Sequence, residues 1–225
     1  MRSFWRLVAA ACFGTYLVAL PASAEARYGS RHPDSSARAD VFDYYVLALS
    51  WSPTYCLSHA KDRQQCGPSR GYGFVLHGLW PQYASGGYPQ RCPARAKLDA
   101  EAVAFGKTIF PSPKLVFHEW DTHGTCSGLG ALDYFKAADR ARTRVVIPAH
   151  LEAPQQTQHF PAQAIVDAFV EANRFAHPDS VTVTCSGPAL SEIRVCLDTN
   201  LRPTSCKRGV ATNCRNGPIR IPAVR

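Results

Sequence analysis

"VFDYYVLALSW", residues 41–51, is the stretch on which the fold turns. Aromatic and β-branched residues crowd it, and it is too apolar for a surface element, which predicts a buried strand. "SPTYC" (52–56) stops it. The same composition returns near the far end of the chain, in "VTVTC" (181–185), "EIRVCLD" (192–198) and "PIRIP" (218–222). A further apolar strand, "YGFVLHGLWP" (72–81), is predicted to end at its glycine and proline. Between these lie helical patterns. Residues 94–110 carry Leu98, Val103 and Phe105 at helical spacing; the next helix can open at Pro113 and stops at Gly124. "ALDYFKAADRAR" (131–142) and "PAQAIVDAFVEANR" (161–174) are amphipathic. Strands at both ends with helices between, not regularly alternating, predict an α+β domain: an antiparallel sheet packed with several helices.

Ahead of the first strand the chain reads differently. Arg2 and Arg6 flank an apolar run, Leu7 to Leu20, too short to span a bilayer and ending in Ala22-Ser23-Ala24. That is a secretory signal peptide over 1–24, cut after Ala24. Residues 25–40 are polar and proline-containing and read as a flexible arm, which leaves 41–225 as one domain. Of nine cysteines, Cys12 departs with the signal. Cys56, Cys66, Cys92, Cys126, Cys185, Cys196, Cys206 and Cys214 remain, an even set that predicts four disulfides in a secreted or periplasmic protein, although counting does not choose the pairing. C-x-x-C spacing is absent from this set, which argues against zinc ribbons and thioredoxin-like redox sites. No second apolar run approaches membrane-span length. The formal charge of +8 suits a polyanionic partner and ordinary solubility equally, and decides nothing.

Chemistry concentrates in "HEWDTHGTC" (118–126). It looks like a misspelt zinc-protease signature, in which two histidines one helical turn apart grip a metal. Here the second histidine falls one position late. With His118 at zero on a helical wheel, Glu119 lies near about 100° and His123 near about 140°, with Thr122 between them. The histidines are too far apart around the helix for that grip and no third ligand is apparent, so neither metal nor cofactor is expected. Two histidines and a carboxylate without metal suit phosphoryl transfer within RNA. One group must take the ribose 2′-OH proton and another must protonate the leaving 5′-oxygen, and histidine serves both near neutral pH. The far-side histidine is found in "FVLHGLWPQ" (74–82), where His77 is expected at a strand end against a glycine turn. Trp80 and Tyr88 offer flat faces for unpaired bases, though Trp80 reads equally well as core. Trp51 and Trp120 read as core.

With both segments in view the chain resembles the ribonuclease T2 family, the base-non-specific acid ribonucleases. "LSWSPTYC" (49–56) and "LSEIRVC" (190–196) support the match, which runs from about Asp43 to the last cysteine. The resemblance implies a general acid at His77, a general base at His123, a phosphate contact at His118 and transition-state stabilisation by Glu119. It implies the pairings Cys92–Cys126, Cys56–Cys66, and Cys196–Cys206 nested inside Cys185–Cys214. It further implies a single-stranded RNA substrate, DNA left uncut, no cofactor and action as a monomer.

This chain departs from the family pattern at three places. Thr122 stands where many members have a lysine facing the phosphorane, with Lys114 or a loop arginine as candidate substitutes. Gln82 stands where some members have an aspartate that reads a base, and Leu115-Val116 replace an aromatic pair. An alternative is therefore a catalytically impaired relative that binds RNA or protein.

Overall fold

The computed structural model describes residues 41–93 and 97–224; the signal peptide and arm lie outside them. The opening strand is β1 (Tyr44–Trp51), followed by α1 (Ser52–Ser58) and α2 (Arg63–Cys66), then β2 (Phe74–Gln82). Helices α3 (Ala100–Ile109), α4 (Pro113–Thr122) and α5 (Ala131–Arg144) come next, with a 3₁₀ turn at Gly124–Cys126 between the last two. After α6 (Ala149–Glu152), β3 (Gln158–Phe160) and α7 (Ala162–Ala172), a 3₁₀ turn (Pro178–Ser180) leads into β4 (Val181–Ser186), β5 (Ala189–Leu197) and β6 (Ile219–Ile221). The result is α+β.

The six strands form one sheet in the order β2-β1-β5-β6-β3, with β4 paired to β5. Ile193 of β5 opposes both Leu49 of β1 and Val183 of β4, so β5 is central. Pairing is antiparallel except for a parallel contact between Ala189 and Arg220, which makes the sheet mixed rather than wholly antiparallel. That contact arises because β6 continues the edge that β1 leaves when it turns into α1.

Both faces of β1 are covered, and its period-2 alternation divides the molecule. Tyr45, Leu47, Leu49 and Trp51 enter the main core with α4, α5 and α7. Tyr44 and Val46 face a small cluster with Cys196 and Val210, against which Trp80 packs. Ser50 lies on this second face. So do its cross-strand partner Glu192, and Arg194 opposite Ala48. The second face carries the site.

Strand β2 differs from expectation. It runs through Gly78 to Gln82, and its register with β1 shifts between Ala48 and Leu49, leaving His77 as the extra residue of a β-bulge. Leu76 and Leu79, three apart, both reach the main core with no exposure. Alternation alone would send them to opposite faces, so the bulge is what turns His77 and Gly78 together onto the site face. His77 is therefore mid-strand, not at a strand end.

Helix α4 opens on Pro113 and buries Val116 and Trp120 in the core. It ends one residue earlier than the helical wheel assumed. His123 is its cap, at φ −121° and ψ −45°. A Cβ on Gly124 would run into Trp120 and Tyr134, so the turn can pack there only without a side chain. The bridges are Cys56–Cys66, Cys92–Cys126, Cys185–Cys214 and Cys196–Cys206. Cys92–Cys126 fastens the loop that follows β2 to the end of the α4 segment, and beside it Arg91 N donates to Thr122 O at 2.9 Å. No described helix is long and apolar enough to cross a membrane.

Candidate active site

Four residues singled out above meet in one cleft. On its sheet side, His77 presents Nδ1 to the Glu192 carboxylate at 2.5 Å. Ser50 Oγ lies 3.2 Å from the same ring nitrogen and donates to Glu192 Oε1 at 3.0 Å. The second Glu192 oxygen accepts from Arg194 Nε at 2.9 Å and Nη2 at 2.7 Å. The opposite ring nitrogen, His77 Nε2, lies 3.9 Å from Glu119 Oε1, and the side chain keeps 34% exposure. Burial pulls the His77 imidazole down, but the hydrogen bond and charge of Glu192, aided by Glu119, outweigh it and hold His77 above its ordinary value. Burial likewise opposes ionisation of Glu192, yet His77 and Arg194 bring its carboxyl down to about 2.

The helical side is built differently. Glu119 is fully buried and accepts from Trp80 Nε1 at 2.8 Å through Oε2. A Cβ at position 78 would fall inside that carboxylate and against the indole nitrogen, so the glycine is what admits Glu119 beside the bulge. Burial pushes the Glu119 carboxyl up to about 7, against the opposing pull of His77 and Trp80. His123, also buried, stacks on Trp80 with ring centroids 5.3 Å apart. Burial, followed by the charges of His118 and His77, lowers it to about 3. His118 is exposed, 4.0 Å from Glu119 Oε1. Partial burial, His77 and Arg91 lower its pKa. Glu119 Oε1, Thr122 Oγ1 and His123 Nδ1 are buried with no hydrogen-bond partner.

Trp80 is half-buried and packs against the rings of both His77 and His123. His77 meets it edge-on at 5.0 Å and Arg194 lies 5.3 Å from its centre. The core reading describes Trp80 in part, since it packs on the second-face cluster, and its remaining surface lines a recess. That recess, of about 230 Å³, is bounded by Trp80, Gln82, Tyr88, His123, Arg194 and Val210. Tyr88 is exposed, its ring 5.8 Å from His123. A second recess on the other flank, about 250 Å³, is lined by Tyr55, His77, Lys114, Leu115 and His118. Trp51 and Trp120 are core, as expected. His59, His150 and His159 are exposed and lie on other elements, and His177 caps the second 3₁₀ turn.

The donor atoms of His118, Glu119 and His123 lie within 4.8 Å of one another. They are closer than a continuous helix would put them, because the chain leaves α4 before His123. Even so, the 4.0 Å from His118 to Glu119 exceeds the roughly 3.3 Å edge of a zinc tetrahedron, so a metal would need the three to draw together.

Sequence reasoning missed Ser50, Glu192 and Arg194. A signal was present: two charges at alternate positions, 192 and 194, inside an otherwise apolar strand share one face.

Comparison with known proteins bears on the family and the fold. A family model described as the Ribonuclease T2 family matches residues 42–206. A ribonuclease of Aeromonas hydrophila is 46% identical over 117 residues, 52% of this chain and 53% of its own length. A probable ribonuclease of Haemophilus influenzae is 39% identical over 118 residues, 46% and 43% of the two chains. The chain thus spans about half the length of these two curated relatives. Ribonuclease DdI of Dictyostelium discoideum is 29% identical over 206 residues, 84% of this chain and 88% of its own. Among solved structures, an RNase-related protein from Calystegia sepium superposes with a TM-score of 0.66 at 24% identity, covering 82% of this chain and 98% of that one. RNase NT in complex with 5′-AMP gives 0.64 at 24% identity, over 81% and 98%.

Proposed function

The chain belongs to the ribonuclease T2 family, and from that premise we propose that it is an exported endoribonuclease acting on single-stranded RNA without a metal. Its products are first 2′,3′-cyclic phosphates and then, by hydrolysis, 3′-phosphates. His123 takes the 2′-OH proton as O2′ attacks phosphorus. The P–O5′ bond breaks and the His77 imidazolium gives its proton to the departing oxygen. In the second step water takes the place of that leaving group, the proton movements reverse and the P–O2′ bond opens. Glu119, still protonated below about pH 7, can donate from Oε1 to a phosphorane oxygen, much as a neutral carboxylic acid serves in an oxyanion hole. His118 contacts phosphate from the cleft rim.

One observation carries this reading. Two histidines pack against a single tryptophan ring, and their surroundings push one pKa above its ordinary value and the other down to about 3. A base must start neutral and an acid must start charged, and the site supplies one of each. The recesses at Tyr88 and Leu115 suit the bases flanking the scissile phosphate. Gln82, buried in the first, is the candidate reader of base identity. Four disulfides support an oxidising, extracytoplasmic location, and the protein acts as a monomer.

The test is incubation of the oxidised protein, in EDTA, with a short RNA and its DNA counterpart, followed by mass analysis of the ends. Cyclic phosphates from RNA with DNA intact are expected. Uncut RNA from acidic to neutral pH would overturn the proposal. It would favour the alternative, an impaired binding module, for which the specific observation is Thr122. That side chain is buried with its hydroxyl unpartnered, where many members place a lysine.

A further inference from the structure

The His77 side of the cleft contains more machinery than the reaction above has used. Glu192 is charged, 6% exposed and carried on the central strand. Each of its oxygens is engaged, one by His77 and Ser50 and the other by the Arg194 fork. Three adjacent strands, β2, β1 and β5, hold the set in fixed register. We propose that Glu192 is the positioning residue of the general acid: it orients His77 through Nδ1, leaves Nε2 turned toward the scissile phosphate, and keeps the ring charged for proton donation. Ser50 and Arg194 hold the carboxylate in place.

A protonated imidazole has two N–H groups, and only the one not bound to the protein can reach a leaving oxygen. With Nδ1 committed to Glu192, the proton to be given away sits on Nε2, the nitrogen that faces Glu119 and the open cleft. A carboxylate on the far ring nitrogen fixes tautomer and orientation, as second-shell carboxylates do for ligating and catalytic histidines. The groups that face His77 are Glu192 and Arg194 from β5, Ser50 from β1, Glu119 and His118 from α4, His123 at its cap, and Trp80 from its own strand. Of these, Glu192 and, once ionised, Glu119 favour the charged ring, and Glu192 is the one carboxylate that hydrogen-bonds it, with Ser50 sharing Nδ1 at 3.2 Å. Arg194 opposes it, yet remains paired with Glu192. Removing the Glu192 charge would therefore withdraw the chief support and leave Arg194 unopposed.

This inference rests on His77 being the acid, so the test separates the two ideas. In Glu192→Gln an oxygen can still accept from Nδ1, so orientation is kept while the charge is lost. The pH profile of kcat/KM on a short RNA should then lose its alkaline limb at least one pH unit earlier, about tenfold in rate at neutral pH, with the acidic plateau largely kept. Glu192→Ala, which removes orientation too, should lower the plateau as well. A Gln profile superimposable on wild type, or one lowered equally at every pH, would overturn the proposal. NMR titration of His77 in wild type and Glu192→Gln gives a second reading that needs no RNA cleavage. A fall in the His77 midpoint supports the coupling, and an unchanged midpoint refutes it, even if wild type leaves RNA intact and the proposed activity fails. Should the Gln variant not fold, Ser50→Ala strips one donor from the same carboxylate and should weaken its hold on the ring. The His77 midpoint should then move by less than one pH unit, and no movement there would count against the network.

Discussion

The two walls of the cleft solve opposite problems. On the sheet wall every polar group that touches His77 through Nδ1 is itself held: Ser50, Glu192 and Arg194 form a closed set of hydrogen bonds. On the helical wall, Glu119, Thr122 and His123 are buried, and each keeps a polar atom with no hydrogen-bond partner among the described residues. An unpartnered buried polar group costs about 1–3 kcal/mol, so three together are a concession that packing alone would not make. The difference teaches a division of labour. Under the proposed reaction, the satisfied wall would fix direction and charge, while the unsatisfied wall would take its missing hydrogen bonds from the substrate phosphate.

The largest expected effect falls on proton transfer. His123→Ala and His77→Ala should each lower kcat/KM on RNA by about 10²- to 10⁴-fold, with far-UV circular dichroism unchanged. A modest loss in either would break the pairing of the walls. Gly78→Ala comes next, because its methyl group would enter the Glu119 carboxylate where the walls meet. Overpacking of this kind costs about 1–3 kcal/mol, visible as a lower Tm. Activity should fall further than the Tm implies, since the displaced group is Glu119.

The two substitutions should move stability in opposite directions, His123→Asn upward at acid pH and Glu192→Gln downward at neutral pH, although both lowered pKa values make the wild type lose stability on acidification. His123 is lowered to about 3 when folded. The unfolded chain therefore binds a proton first as pH drops below its ordinary value, and the fold loses stability from there down toward pH 3. His123→Asn should be less acid-sensitive than wild type, by about 2 kcal/mol at pH 4 in urea titrations. Glu192 is also lowered, to about 2, but for a carboxylate that means stability present above its ordinary value and lost as pH falls through 2. Glu192→Gln should therefore be destabilised at neutral pH, by about 2 kcal/mol, since breaking one partner of a buried pair leaves the others uncompensated. If both variants moved the same way, the contrast between the walls would fail. The smallest effect belongs to Tyr88, exposed and touching the site only through the His123 ring. Tyr88→Ala should raise KM less than about tenfold, within the 1–3 kcal/mol of one base stack, and leave kcat nearly unchanged.

Much of this was legible in the chain. Composition marked β1, β4, β5 and β6, and spacing marked the long helices, because such elements bury a regular stripe. Where the stripe was broken, legibility failed. The bulge at His77 puts Leu76 and Leu79 on the same face, which period-2 reading cannot anticipate, and so His77 read as the end of its strand rather than its middle. Helices α1, α2 and α6 and strand β3 span seven residues or fewer and carry too little pattern to see. The wheel drawn through "HEWDTHGTC" gathered the right residues for a partly wrong reason, since His123 reaches the cluster as a cap rather than along a helical face. Glu192 escaped because its meaning depends on register. Only when β5 lies beside β1 does it stand opposite Ser50.

The Cys92–Cys126 bridge bears on how such a protein is produced and checked. It ties the loop bearing Tyr88 to the segment bearing Glu119 and His123, so it spans the helical wall and the recess beside it. Eight cysteines permit many mispaired isomers, and most would leave these two segments unjoined. Turnover of RNA by a refolded batch would therefore serve as a quality assay for that linkage. A preparation could be pure by mass, fully oxidised and still inert, and its specific activity would count the molecules whose sulfurs had found the right neighbours.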